Sequence, residues 1–189
     1  MKPPLVVLAG PNGAGKTTFF EAYLSNLGLP FLNADRLAAV TGMGSYEAAE
    51  EIASLRHVLV DRRLGFVTET VLSDPVGDKV AFFANAAADG FNVHLIFIGI
   101  TDAEMSVKRV ESRVEAGGHD VHLEKIRARY GRTLENLERA IAQLPHVTLY
   151  DNSCFEEPYR FVAEFRMGIL HKKSEGELPH WARRHFDRG

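Results

Sequence analysis

The stretch Leu8–Phe19, LAGPNGAGKTTF, decides the fold. Gly10, Gly15, Lys16 and Thr17 satisfy G-x-x-x-x-G-K-[ST], the phosphate-binding loop. Glycines let the backbone curl so that successive N–H groups point inward at phosphate oxygens, helped by the positive end of the following helix. Lys16 is placed to reach the β- and γ-phosphates, and the Thr17 hydroxyl to hold Mg²⁺. A random chain of ordinary composition would match the pattern about once in 150 to 200 tries. Here the match also falls between an apolar run and a helical segment, as the chemistry requires. Gly10, Pro11, Asn12, Gly13, Ala14, Gly15, Lys16, Thr17 and Thr18 are therefore the expected cradle for ATP or GTP, with Thr17 the expected metal ligand.

Outward from that loop, short apolar runs alternate with amphipathic segments. LVVLA (Leu5 to Ala9) reads as a buried strand, and Lys16 to Leu27 as a helix ended by Gly28. FLNA is a second strand candidate. Ser45 to Leu64 reads as a helix opened by a capping type of residue, and Phe66 to Glu69 as a third strand. A helix is expected from Asp74-Pro75 to about Asp89. NVHLIFIGI is the most apolar strand, and TDAE (Thr101 to Glu104) fits a capping box for a helix reaching about Glu115. Leu123 to Gln143 reads as another helix and VTLYD as a fifth strand. Period-two alternation from Tyr159 to Phe165 predicts an edge strand, Met167 to Lys172 a second, and a short helix follows near Trp181. The expectation is an α/β, three-layer P-loop NTPase fold with a mostly parallel central sheet of about five strands. A helical lid over about 109–137 and a C-terminal edge hairpin complete a single domain over 1–189.

Composition excludes several classes. The 189 residues carry a formal net charge of −3, without the basic excess usual for nucleic-acid binding. Hydrophobic residues at 46% and charged residues at 25% fit a soluble globular chain, not a disordered one. The single Cys154 has no partner for an internal disulfide, and no apolar stretch has transmembrane length. The reading is a cytoplasmic protein with no nucleic-acid or membrane partner. His171, His180, His185 and Cys154 show no zinc spacing.

Triphosphate binding alone does not separate a kinase from a motor or a switch. LSGGQ and N-K-x-D are absent, which argues against a transporter ATPase and a GTPase. A small-molecule kinase needs an acidic group at the acceptor hydroxyl and arginines that neutralise the transferred group. Asp35, in LNADRLA, falls just past the second strand, on the edge where open α/β sheets bind ligands; there it either orients the acceptor hydroxyl as base or caps a short helix. Glu69, with Thr70 beside it, ends the third strand and is either a substrate contact or a surface carboxylate. Arg113, Arg129 and Arg132 form a candidate clamp. Arg129 and Arg132 share a helix face while Arg127 must point elsewhere; the alternative is a solvated basic face paired with Glu124, Glu135 and Glu138. Asn152 is a candidate base contact. His119 and Asp120 fit a turn as well as a ligand contact, and Asp102 fits a helix cap better than a Walker B carboxylate.

Taken in order and spacing, GPNGAGKTTF, NADRLA, ETVLS, GGHDVHLEKIRARYGRTLENL and YDNS resemble the zeta-toxin family of P-loop kinases, from Leu5 to about Ser153. The resemblance implies ATP- or GTP-dependent phosphorylation of a nucleotide sugar, typically UDP-N-acetylglucosamine, and an antitoxin protein as partner. It implies Lys16 and Thr17 on phosphate and Mg²⁺, Asp35 as base, Glu69 on the substrate side, and Arg113 with Arg129 or Arg132 as lid clamp. Family members similar to this chain usually carry proline where His122 stands, and the chain is shorter than plasmid-borne toxins. Two other readings stay open: a kinase acting on a nucleoside or polynucleotide end, and a regulatory module that binds nucleotide without transferring phosphate.

Overall fold

A computed structural model describes residues 2–115 and 122–186, with residues 113–115 as backbone only. Five strands, β1 (Pro4–Ala9), β2 (Phe31–Leu32), β3 (Phe66–Thr70), β4 (Asn92–Gly99) and β5 (His146–Asp151), run parallel. Two more, β6 (Arg160–Arg166) and β7 (Ile169–Lys173), add antiparallel, giving the order β2-β3-β1-β4-β5-β6-β7. The five parallel strands and the edge hairpin are those expected from the sequence, now joined in one seven-stranded sheet.

β1 shows why the sheet is covered on both faces. Leu5, Val7 and Ala9 belong to one buried cluster, while Leu8 belongs to another with Val6 packed against it. Successive side chains of a strand point to opposite faces, so a continuous apolar run needs a layer on each. One layer contains α1 (Lys16–Phe19) and α5 (Ala103–Glu115), through Phe19 and Met105. The other contains α3 (Ser45–Asp61), α4 (Asp78–Ala88), α6 (Leu123–Gln143) and α7 (His180–Arg183), through Ile52, Phe83, Leu137 and Trp181. The short α2 (Ala34–Thr41) follows β2 and packs on α3.

Several element boundaries differ from the sequence reading, each for a local reason. The expected helix from Lys16 to Leu27 is regular only to Phe19; a π-helical turn covers Phe20–Leu24 and a 3₁₀ turn Ser25–Leu27, before Gly28 at φ 65°. Gly44, not Ser45, is the N-cap of α3, and that helix stops at Asp61. Helix α4 begins at Asp78 rather than Asp74-Pro75, because Asn136 of α6 ties down the preceding connection by donating to the carbonyls of Leu72 and Asp74 at 2.9 and 2.8 Å. At α5 the cap is Asp102 instead of Thr101. Its carboxylate accepts from the Met105 N–H at 2.8 Å, which leaves it a structural role and no Walker B role.

The aromatic C-terminal tail turns inward. Trp181 is 2% exposed, donates through Nε1 to Asp151 at 2.9 Å, and lies over Gly99, where any Cβ would come within 2.3 Å of the indole. Among the described residues no helix is long and apolar enough to cross a membrane.

Candidate active site

The loop between β1 and α1 is built by exclusion and by clamps. Gly10 has φ 143°, and a Cβ there would sit 2.2 Å from the Ile98 carbonyl oxygen, so only glycine lets β1 turn so close to β4. Gly15, at φ 87°, is crowded by Asn152 and Tyr159, each 2.8 Å from an added Cβ. Both residues hold the loop from below: Asn152 donates to the Ala14 carbonyl at 2.9 Å, and the Tyr159 hydroxyl donates to Gly15 at 2.9 Å. Burial raises the Tyr159 pKa, which keeps the phenol protonated and donating. From the other side the Ser106 hydroxyl donates to the Asn12 carbonyl and Arg109 to that of Gly13 at 3.4 Å. Thr18 is exposed beside this ring of contacts.

Lys16 is 6% exposed and its ammonium donates to the carbonyls of Gly10 and Pro11 at 3.0 and 2.9 Å. It also stands 3.9 Å from Glu69. The Thr17 hydroxyl donates to Glu69 Oε2 at 2.8 Å, and Asn33 Nδ2 donates to the same oxygen at 2.8 Å. Glu69 therefore lies against the phosphate loop itself. Thr17 and Glu69 together offer hydroxyl and carboxylate oxygens at the head of α1, the hard donor set that suits Mg²⁺ completed by water and phosphate.

Asn33 also settles the capping alternative at Asp35. Its side chain accepts from the Arg36 N–H at 2.9 Å, so Asn33 is the N-cap of α2 and Asp35 is left in the first turn. Asp35 is exposed and has no hydrogen-bond partner among the described residues. Thr70 is 8% exposed and its hydroxyl accepts from the Leu72 N–H at 3.1 Å, shaping the turn where Leu72 takes φ 58°.

The lid residues divide. Arg127 points away, as expected, forming a two-point pair with Glu104 of α5 at 2.7 and 3.1 Å. Arg129 and Arg132 are half-buried, and the Arg132 Nε is sealed without a partner among the described residues. Neither is a solvated surface arginine paired with glutamate. The Arg113 side chain, His119 and Asp120 lie outside the described residues. His122, the N-cap of α6, has φ −48°, close to the value a proline ring would impose, so the helix entry survives without proline. Asn152, expected near the base, spends its amide on Ala14 and its carbonyl oxygen on the Tyr159 N–H at 3.3 Å, and so acts as a brace for the loop.

Sequence reading missed Asn33, Ser106, Arg109 and Tyr159. Asn33 carried a signal, an Asx residue directly after a strand and three before Arg36. Ser106 and Arg109 are i, i+3 on α5, but nothing in their spacing says that the loop lies beneath them.

A strand, a glycine-shaped phosphate loop with its lysine and hydroxyl, and a carboxylate beyond the neighbouring strand define a P-loop kinase. A model of one family, described as Zeta toxin, matches residues 32–159, and the chain belongs to that family. A protein of Haemophilus influenzae described as uncharacterized is 26% identical over 135 residues, 69% of this chain and 94% of that one. Among solved structures, the AvrRxo1-ORF1:AvrRxo1-ORF2 complex with sulphate ions matches with a TM-score of 0.70 at 17% identity, over 90% of this chain. This chain spans 60% of that one. The PezAT chromosomal toxin-antitoxin system of Streptococcus pneumoniae matches with a TM-score of 0.61 at 18% identity, over 98% of this chain and 82% of that one. These structural likenesses concern the fold.

Proposed function

We propose that this protein transfers the γ-phosphoryl group of ATP, or GTP, to a hydroxyl of a nucleotide sugar, with UDP-N-acetylglucosamine as the first candidate. The observation that carries the reading is the pair formed by Asn33 and Asp35. Asn33 takes over the helix cap, bonds to Glu69 and leaves the Asp35 carboxylate without a structural task on the ligand-binding edge of the sheet.

In this reading the loop amides and Lys16 hold the donor phosphates, with Lys16 exchanging the Gly10 and Pro11 carbonyls for phosphate oxygens. Thr17 and Glu69 would hold Mg²⁺, which when bound neutralises charge on the β- and γ-oxygens. Asp35 orients the acceptor hydroxyl and accepts its proton as the new O–P bond forms, while the nucleoside diphosphate leaves in line. From the lid side Arg113 with Arg132, the half-buried arginine whose Nε has no partner among the described residues, stabilises the charge on the transferred group. Family membership supports a nucleotide-sugar acceptor, and the same membership and the toxin-antitoxin system among the structural neighbours support an antitoxin partner.

The test is incubation with Mg-ATP and UDP-N-acetylglucosamine, reading by mass spectrometry a gain of about 80 Da, one phosphoryl group. Wild type should give the product and Asp35→Asn should not. Product on a nucleoside or a 5′-hydroxyl oligonucleotide instead would replace the acceptor. Tight ATP binding with no product on any acceptor would favour a regulatory module.

A further inference from the structure

Beyond Glu69 the chain buries charges that no contact explains. Arg56 lies on α3 in step with Ala48 and Ile52, four and eight residues before it, so the helix carries its guanidinium inward with two apolar side chains. It is 8% exposed and, among the described residues, makes no hydrogen bond and no ion pair within 4 Å. Asp74, on the connection between β3 and α4, has both carboxylate oxygens sealed from solvent without a hydrogen bond among the described residues. Lys79 stands in the first turn of α4, electrostatically coupled to both and to Arg129 of α6. Buried charges without hydrogen-bonded partners are costly, and titratable groups perturbed by burial and by one another gather at functional sites.

The surrounding backbone gives the cluster a defined place. The Thr133 hydroxyl donates to the Val71 carbonyl at 2.9 Å, and Asn136 holds the carbonyls of Leu72 and Asp74, so α6 pins the connection that follows Thr70. Lys125, one turn before Arg129 on the same face, donates to the Tyr46 hydroxyl at 3.0 Å and joins the start of α6 to the start of α3. The two helices thus converge over the loop leaving the carboxyl end of β3, on the acceptor side of the site. None of Arg56, Asp74, Lys79 and Arg129 hydrogen-bonds to the phosphate loop through its side chain.

We propose that Arg56, Lys79 and Arg129 form a second anion subsite, separate from the phosphate loop, that holds a phosphate or diphosphate group carried by the acceptor molecule. The proposal rests on the kinase reading for its position. Three cations, with Arg139 close by at Gly77, outnumber the one carboxylate of Asp74, an excess of positive charge that suits a phosphate or diphosphate group. Guanidinium groups offer paired donors to phosphate oxygens, and Lys79 adds a point charge. Asp74 is left to accept from a hydroxyl beside that phosphate. The electrostatics agree. Burial lowers the Lys79 pKa, and Arg56 and Arg129 lower it further against the opposing effect of Asp74; burial also lowers that of Arg56. A bound anion reverses each of these penalties.

The test uses protein whose phosphate loop is filled with a non-hydrolysable ATP analogue and excess Mg²⁺, titrated with inorganic pyrophosphate by calorimetry. Wild type should bind one pyrophosphate, and Arg56→Met and Lys79→Met should each weaken it at least tenfold with affinity for the ATP analogue unchanged. Arg56→Met should also melt no lower than wild type, since it removes an unpaired buried charge and keeps the volume. If it fails to fold, Arg56→Lys and Lys79→Gln in the same titration decide. No pyrophosphate binding by wild type, or equal binding by the variants, overturns the subsite. In turnover, the two methionine variants should raise KM for UDP-N-acetylglucosamine at least tenfold while KM for ATP holds. If pyrophosphate binding depends on Arg56 and Lys79 but UDP-N-acetylglucosamine is never phosphorylated, the named acceptor falls and the subsite stands. If that sugar is phosphorylated with the same KM by both variants, the subsite falls and the acceptor stands.

Discussion

The phosphate loop and the region beyond β3 are both polar, yet they are built in opposite ways. In the loop the carbonyls are engaged: those of Asn12, Gly13, Ala14 and Gly15 accept from Ser106, Arg109, Asn152 and Tyr159, and Lys16 and Thr17 are bonded in place. On the side of β2 and β3, the side chains of Asp35, Arg56 and Asp74 and the Arg132 Nε have no hydrogen-bond partner among the described residues. The first region recognises a phosphate chain through backbone N–H groups, which must be fixed in advance because the backbone cannot rearrange on binding without losing its own structure. On the proposed reading, the second recognises through side chains, and the contrast is that of a generic donor site with a specific acceptor site.

The contrast can be broken where the effect is largest, at Asp35. Asp35→Asn should lower kcat by about 10²- to 10⁴-fold with unchanged melting temperature, because the carboxylate has no structural partner to lose. A fall in melting temperature of several degrees in a thermal scan would move Asp35 to the structural side. The donor half should respond in the reverse sense. Gly10→Ala should cost roughly 2–4 kcal/mol of stability, from the clash with the Ile98 carbonyl and the strained φ, and lose nucleotide binding. For a chain of this size that is a drop of roughly 5–15 °C by calorimetry; an alanine variant that melts like wild type would show the loop to be softer than its contacts indicate.

A third, smaller effect lies away from both halves and serves as their control. His94 of β4 stacks on His146 of β5 with ring centroids 3.9 Å apart and 4° between planes, and bonds to the Thr148 hydroxyl at 2.8 Å. Burial, and then the neighbouring His146, lower its pKa to about 4 against the opposing Glu164. The folded state thus resists the proton that the unfolded state takes up near pH 6.5, so this contribution to stability is present above that pH. It is lost as pH falls towards 4, by up to roughly 3 kcal/mol. Urea denaturation between pH 7 and pH 4 should show this loss, and His94→Gln should reduce it without altering ATP binding at pH 7. The smallest change is Tyr159→Phe. Removing one hydroxyl from the Gly15 carbonyl should cost about 1 kcal/mol and raise KM for ATP a few-fold, leaving the KM of the acceptor unchanged. A larger effect on the acceptor would erase the boundary between the halves.

Much of the donor half could be read from the chain alone, because a phosphate loop is local: glycine, lysine and threonine stand at fixed offsets along one backbone turn. Asp35 was likewise visible, though only as one of two alternatives. What removes the capping alternative is Asn33, whose side chain reaches the Arg36 N–H and Glu69 at once. Glu69 was expected with the acceptor. Parallel pairing of β3 with β1 sets Leu8 opposite Glu69 and Ala9 opposite Thr70, which brings the Glu69 carboxylate to Thr17 at the loop. For Asn152 the chain shows only its place after β5; the contacts to Ala14 and Tyr159, which show that it supports the loop, come from the fold. The helix limits shifted where distant contacts overrode local preference, as at Asp78, where α6 holds the preceding loop.

By itself, the sequence determined the alternation of strands and helices, the nucleotide loop and the candidate base, because these depend on periodicity and on spacing within one turn. Tertiary structure alone decided the partners of Glu69, the clamps from α5 and from the connection between β5 and β6, and the gathering of Arg56, Asp74 and Lys79. Those groups come from α3, from the connection after β3 and from α4, and the energy of burying them depends on which charges lie nearby in space. Neighbours in sequence carry no record of that.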